Sequence, residues 1–197
     1  MENIIQDVIL KEYDAIKIMS ETLDYEMLDQ VVNLIHNNKG KLIFIGVGKS
    51  GHICEKLAAT FASTGTPSFF IHGTEACHGD LGMISKDDIV ILMSNSGTTK
   101  EVTQNIAPIK KIGAKIIGFT SKKDSPLGQE TDLQIIYPSL KEADPLNLAP
   151  TVSSTLCLVL GDAIAINLSS LKNFTREDFF KFHPNGALGE SLKKEFK

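Results

Sequence analysis

Two short segments rich in glycine and hydroxyl residues stand out in the 197-residue chain, each following an apolar run and preceding a segment of helical length. The first is Gly46-Val47-Gly48-Lys49-Ser50-Gly51. Its glycines let the backbone approach an anion, and the start of the next helix offers free N–H groups and the positive end of a dipole. The spacing fits G-x-G-x-x-G, yet the acid that a dinucleotide site places after its second strand is replaced here by His72-Gly73. Lys49 suits a phosphate monoester or a developing oxyanion better than a pyrophosphate cradled by backbone. The second segment is Ser94-Asn95-Ser96-Gly97-Thr98-Thr99, four hydroxyls in six residues, just before Glu101. Such hydroxyls, with helix N-terminal amides, make a neutral pocket in which many donors meet a phosphate's charge; the alternative is simple helix capping. Two segments of this kind at neighbouring strand ends point to one phosphate held between them. Ser50, Ser94, Ser96 and Thr99, with backbone N–H groups of both segments, are therefore its candidate ligands, and Gly48 and Asn95 are further candidate contacts of the same bound molecule.

The elements that must position these residues follow from periodicity. Ile4, Ile5, Val8, Ile9, Ile16 and Met19 recur at helical spacing, and a second helix is predicted over Met27–Asn37. Short apolar, β-branched runs then appear at Lys41–Val47, Pro67–Ile71, Ile89–Met93, Lys115–Phe119 and Leu133–Tyr137. They alternate with helical segments at Gly51–Ser63, at Glu101–Ile112 and after Pro126. That alternation predicts an α/β fold, a doubly wound five-stranded parallel sheet flanked by helices. Val152–Leu168 reads as a buried apolar helix in which Asp162 satisfies a buried donor, and Thr175–Phe196 as a helical tail broken at His183-Pro184-Asn185-Gly186. Ligands of such sheets bind beyond the strands' carboxyl ends, where the strand order reverses.

Composition narrows the classes. Hydrophobic residues make up 42% and charged residues 22%, an ordinary globular balance, and the length suits a single domain over residues 1–197. Twenty-four acids against twenty bases give a net charge of −4, which offers nucleic acid or an anionic membrane no electrostatic footprint. The three cysteines Cys54, Cys77 and Cys157 are odd in number and widely spaced, so a reducing, cytoplasmic setting is expected. The N-terminus lacks the basic region and small-residue cleavage site of a signal peptide.

Gly48-Lys49-Ser50-Gly51-His52-Ile53, Ala58-Ala59-Thr60-Phe61-Ala62-Ser63-Thr64-Gly65-Thr66-Pro67 and Glu75-Ala76-Cys77-His78-Gly79-Asp80-Leu81-Gly82-Met83-Ile84 resemble the sugar isomerase (SIS) domain, in its arabinose-5-phosphate isomerase branch. Ser94-Asn95-Ser96-Gly97 matches the family's phosphate signature. Leu148-Ala149-Pro150-Thr151 and Phe182-His183-Pro184-Asn185-Gly186-Ala187-Leu188-Gly189 continue the match, which covers essentially the whole chain. The chain departs from the family at Thr98-Thr99-Lys100, where Glu-Ser-Ser is more usual, and at Cys54 and Cys77, where small residues are common.

The resemblance implies a flavodoxin-like strand order, a short form without the C-terminal pair of cystathionine-β-synthase-type domains, and an aldose–ketose isomerase of D-ribulose 5-phosphate and D-arabinose 5-phosphate. That reaction moves a proton between C2 and C1 through an enediolate, with a second group shuttling protons on O1 and O2. Four positions match those the family uses: Lys49, Glu101, Glu142 and His183. Lys49 would neutralise phosphate or the enediolate, Glu142 would be the base, and His183 would serve ring opening or O1/O2 transfer from a neighbouring subunit. His78 is expected to contact sugar hydroxyls. With Cys77, His72 and His183 it could hold a soft divalent metal, but the spacing lacks a zinc pattern and the enediolate route needs neither metal nor cofactor. The expected partners are a sugar phosphate and further copies of the chain, in a tetramer with shared active sites. Another isomerase of the family, such as a phosphoheptose isomerase, and a non-catalytic sugar-phosphate sensor are the competing readings.

Overall fold

A computed structural model describes residues 3–185, 191 and 193. Helices α1 (Ile4–Thr22) and α2 (Tyr25–His36) lead into β1 (Leu42–Gly46), α3 (Gly48–Ser63) and β2 (Ser68–His72). A short α4 (Gly73–Ala76) and a 3-10 turn at Asp80–Met83 precede β3 (Ile89–Met93), α5 (Lys100–Thr103) and α6 (Ile106–Ile112). Next come β4 (Lys115–Thr120), α7 (Pro126–Gln129), β5 (Leu133–Ile136), the long α8 (Val152–Leu171) and α9 (Arg176–Phe182).

The five strands are all parallel, in the order β2-β1-β3-β4-β5. Both faces are covered, so the central strands are buried at every position rather than alternating. Leu42, Phe44, Ile89 and Ile91 face α3 and α8, whereas Ile43, Ile45, Val90 and Leu92 face α5, α6 and α7. The strand order reverses between β1 and β3, and that is where the sheet opens a crevice beyond its carboxyl ends.

Four differences from the expected elements have physical causes. The second helix begins at Tyr25 because Asp24 caps it, its carboxylate accepting the Met27 N–H at 3.0 Å. The helix after β1 starts at Gly48, so Gly48, Lys49 and Ser50 form its first turn rather than a loop leading to it. The segment 101–112 breaks into two helices. Buried Asn105 turns its side chain back to donate to the Glu101 carbonyl, and Pro108 can sit only in the first turn of the helix that follows. Finally, α8 buries one face only. Ala163, Ile166 and Asn167 are exposed, and Asp162 forms a half-exposed ion pair with Lys56 at 2.5 Å instead of satisfying a buried donor. Among the described residues, α8 is the one helix long and apolar enough to cross a membrane. Its buried residues, Leu156, Leu160, Ile164 and Leu168 among them, account for that apolarity by packing into the core beside α3 and α1. The predicted helical tail beyond Asn185 lies mostly outside the described residues.

Candidate active site

The two anion-suited segments meet at the reversal of strand order. From β1, the extended Val47 passes directly into α3, whose first turn is Gly48, Lys49 and Ser50. No side chain caps this helix, so its leading amides point out of the strand end toward the crevice. Lys49 is exposed and takes part in no ion pair or hydrogen bond among the described residues. From β3, Ser94 is buried and its hydroxyl lies 2.7 Å from the Thr99 hydroxyl and 3.4 Å from that of Ser96. Ser96 Oγ in turn accepts the Thr98 hydroxyl at 3.0 Å and the Thr98 N–H at 3.3 Å. Gly97 holds φ at +67° and donates its N–H to the Ser94 hydroxyl at 3.2 Å. The predicted ligands Ser94, Ser96 and Thr99 thus form one connected hydroxyl cluster.

A third element completes the crevice. A small cleft of about 50 Å³ is walled by Lys49 and Ser50 from α3, Asn95 from the second segment, Tyr137 after β5, and Ser153 and Ser154 from α8. Sequence reasoning missed the last three. Hydroxyls at positions 153 and 154, in the first turn of a largely apolar helix, were the available signal, whereas Tyr137 read only as the end of a strand.

Glu142 adjoins this cleft through Ser153. Its carboxylate accepts the Thr151 N–H at 2.8 Å, the Ser153 N–H at 3.2 Å, and the hydroxyls of Ser153 at 2.5 Å and Thr151 at 3.1 Å. Burial alone would raise its pKa. The Ser153 hydroxyl, the two backbone amides and the Thr151 hydroxyl outweigh that and hold the carboxyl below its ordinary range. The carboxylate is therefore ionised at neutral pH and sits at the N-terminus of α8, where a negative charge is favoured.

The remaining predicted residues are placed less uniformly. Glu101 is exposed in the first turn of α5, two residues beyond Thr99. His78 is exposed after α4, donates its N–H to the Glu75 carbonyl, and is not among the cleft's walls. No cluster of three or more potential metal ligands occurs among the described residues.

His183 lies at the opposite pole. Its Nδ1 is 3.0 Å from the Phe179 carbonyl and its ring stacks on Phe179 at 3.9 Å. The adjoining Phe182 stacks on Phe174, which covers Gly65, and Lys172 donates to the Gly65 carbonyl and the Thr66 hydroxyl. Gly65 and Thr66 precede β2, at the amino ends of the strands. Between the two poles runs α8, whose 20 residues span about 30 Å.

Known proteins share the sequence and the fold that carry this crevice. The SIS domain family matches residues 34–167. The arabinose 5-phosphate isomerase of Pseudomonas aeruginosa is 51% identical over 159 residues, covering 81% of this chain and 49% of that protein. A probable arabinose 5-phosphate isomerase of Haemophilus influenzae is 48% identical over 96% of this chain and 56% of its own length. The chain thus spans about half the length of the curated relatives it matches. A solved Escherichia coli CFT073 protein in complex with arabinose 5-phosphate superimposes with a TM-score of 0.90 at 49% identity, covering 93% of this chain and all of that one. The chain belongs to the SIS domain family.

Proposed function

We propose that this chain is an aldose–ketose isomerase that interconverts D-ribulose 5-phosphate and D-arabinose 5-phosphate, the entry to the acidic sugar Kdo of surface polysaccharides. The observation that carries this reading is what meets at one crevice: a connected hydroxyl cluster, a helix N-terminus and a lysine with no partner among the described residues, beside an ionised carboxylate. The names of the relatives and the sugar phosphate bound to the solved neighbour support the choice of sugar.

In this reading the phosphate sits on the hydroxyls of Ser50, Ser94, Ser96 and Thr99 and the leading amides of α3. Lys49 offsets the charge that develops on the enediolate oxygens, where a positioned cation acts most strongly on the transition state. Glu142 is the base between C1 and C2: its ionised form is the one that accepts a proton. Glu101, in the same wall as Thr99, stands by for proton traffic on the sugar hydroxyls, with His78 at the sugar's outer end. The enediolate route asks for no metal and no cofactor.

His183 cannot reach its own crevice across the length of α8, so the partner's His183 supplies O1/O2 proton transfer. The assembly this requires, a tetramer with shared sites, is supported by apolar surface on α1. Ile5, Ile9 and Tyr13 are 62–74% exposed and recur every fourth residue. The three free thiols suit a cytoplasmic, reducing setting, and the 197-residue chain would act as one catalytic domain.

A coupled assay offering ribulose 5-phosphate and sedoheptulose 7-phosphate side by side tests the substrate. Turnover of the first alone is expected, and turnover of only the second would overturn the reading in favour of phosphoheptose isomerisation. Shared sites are tested by mixing His183→Ala with Glu142→Ala chains. Each variant alone should lose roughly 10²–10⁴-fold in kcat, the scale of a positioned proton-transfer group. Mixing should restore activity in sites that hold both groups. Subunit exchange without recovery would disprove the shared site, as would a sedimentation mass of one chain.

A further inference from the structure

Asn95 is the member of the second segment that reaches the cleft, and what aims it comes from two other strands. Its carbonyl accepts the Thr120 hydroxyl at 3.1 Å, the Ser121 hydroxyl at 2.9 Å and the Ser121 N–H at 3.2 Å, which fixes its backbone to the end of β4. Its side-chain Oδ1 accepts the hydroxyl of Tyr137 at 2.9 Å. Tyr137 is 2% exposed, and its ring meets Phe119 edge-on at 5.7 Å, so the phenol has no freedom to follow a moving partner. Burial pushes the phenol's pKa far up, which keeps it a donor at any working pH.

A carboxamide whose oxygen is held has only its NH2 left to offer. The Asn95 Nδ2 has no partner among the described residues, and Asn95 is exposed on the cleft that Lys49, Ser50 and Ser153 also wall. We propose that Tyr137 is a positioning residue: by holding Oδ1 it turns the Asn95 NH2 toward an oxygen of the sugar near its carbonyl end. The sugar rather than the phosphate is the recipient, because Asn95 shares the cleft with Lys49 and with Ser153, which holds Glu142, whereas of the four phosphate hydroxyls only Ser50 reaches that cleft. The inference rests on the isomerase reading for its substrate. The lock itself does not.

The test is a double-mutant cycle between Tyr137→Phe and Asn95→Ala, which keeps the Phe119 contact in the first variant. Tyr137→Phe should lower kcat by about fivefold to tenfold, the scale of one neutral hydrogen bond, and leave inhibition by inorganic phosphate unchanged. In the Asn95→Ala background the same change should lower kcat no further. An equal loss in both backgrounds, a shifted phosphate inhibition constant, or no loss in either would overturn the proposal. The side-chain NH2 resonances of Asn95 in 15N-labelled protein, identified by their disappearance in Asn95→Ala, give a readout without substrate. They should shift or broaden in Tyr137→Phe, and unmoved resonances would refute the lock. Failure of the isomerase reading is seen separately, as wild-type protein that does not turn over ribulose 5-phosphate; the cycle is then read on these resonances alone.

Discussion

The two halves of the candidate phosphate site are built on opposite plans. The turn after β1 is open: Gly48 and Lys49 are exposed, no side chain caps α3, and an added Cβ at Gly48 would find nothing within 4 Å. The turn after β3 is closed. Its hydroxyls bond one another, its carbonyls are taken by β4 and α7, and an added Cβ at Gly97 would overlap Ser125 and Thr120. Both turns carry a glycine of positive φ, +56° at Gly48 and +67° at Gly97. Identical backbone demands are thus met once in open space and once inside a packed lattice of hydroxyls. In the proposed site one turn would bring an exposed charge to the ligand; the other would bring donors already in place, so little ordering would remain on binding.

The contrast is broken most directly at Gly97. Gly97→Ala places an L residue in the left-handed region, roughly 1–2 kcal/mol, and adds overlap with Ser125 that packing studies put at roughly 1–3 kcal/mol. Less the roughly 0.4–1 kcal/mol by which alanine restricts the unfolded chain, a net loss of about 3 kcal/mol in denaturant unfolding is expected, with substrate binding lost. Pairing it with Ser125→Gly should return the overlap part and leave the backbone part. If the pair is additive, Ser125 is not what closes this turn.

Ser96→Ala should act on binding rather than folding, because Ser96 is exposed and the rest of its turn keeps its own bonds. Losing one hydrogen bond to a charged group is expected to weaken binding by roughly 1.5–3 kcal/mol, a rise in KM of about ten- to a hundredfold with kcat little changed. An unchanged KM would remove Ser96 from the phosphate site and leave Ser94 and Thr99 as a purely structural pair.

Most of the frame was legible from periodicity. The five strands lie within a residue of their expected bounds, because runs such as Ile43-Phe44-Ile45 and Ile89-Val90-Ile91-Leu92 have no helical alternative between their glycines, turns and polar flanks. The broken helix at Asn105 was not legible, since only the folded chain shows the asparagine turned back on Glu101 and Gly73. Nor was the surface position of Asp162. One charge in an apolar helix reads as buried until Lys56 of α3 is seen beside it. Of the site, sequence reading found the residues that belong to contiguous segments. It missed Tyr137, Ser153 and Ser154, which reach the cleft only because α8 packs beside α3 and the chain leaving β5 returns to Asn95. For His183 the sequence already pointed away from the chain's own crevice, and the length and anchoring of α8 supply the physical cause of that distance.

The smallest expected effect belongs to the open turn. Gly48→Ala meets the same positive φ as Gly97→Ala, again roughly 1–2 kcal/mol, but without steric overlap. Part of that is offset, because replacing glycine by alanine also restricts the unfolded chain, by roughly 0.4–1 kcal/mol. The net loss in denaturant unfolding should therefore be about 1 kcal/mol. The Gly48 amide remains at the start of α3, and the hydroxyls across the crevice are untouched, so KM should rise by less than it does in Ser96→Ala. A loss as large as that of Gly97→Ala would mean that the first turn is as tightly held as the second, and the contrast between them would fail. A small loss of stability with a large rise in KM would carry a different lesson: the empty space above Gly48 would then be the volume the phosphate occupies, and openness there would be a requirement of binding rather than an absence of packing.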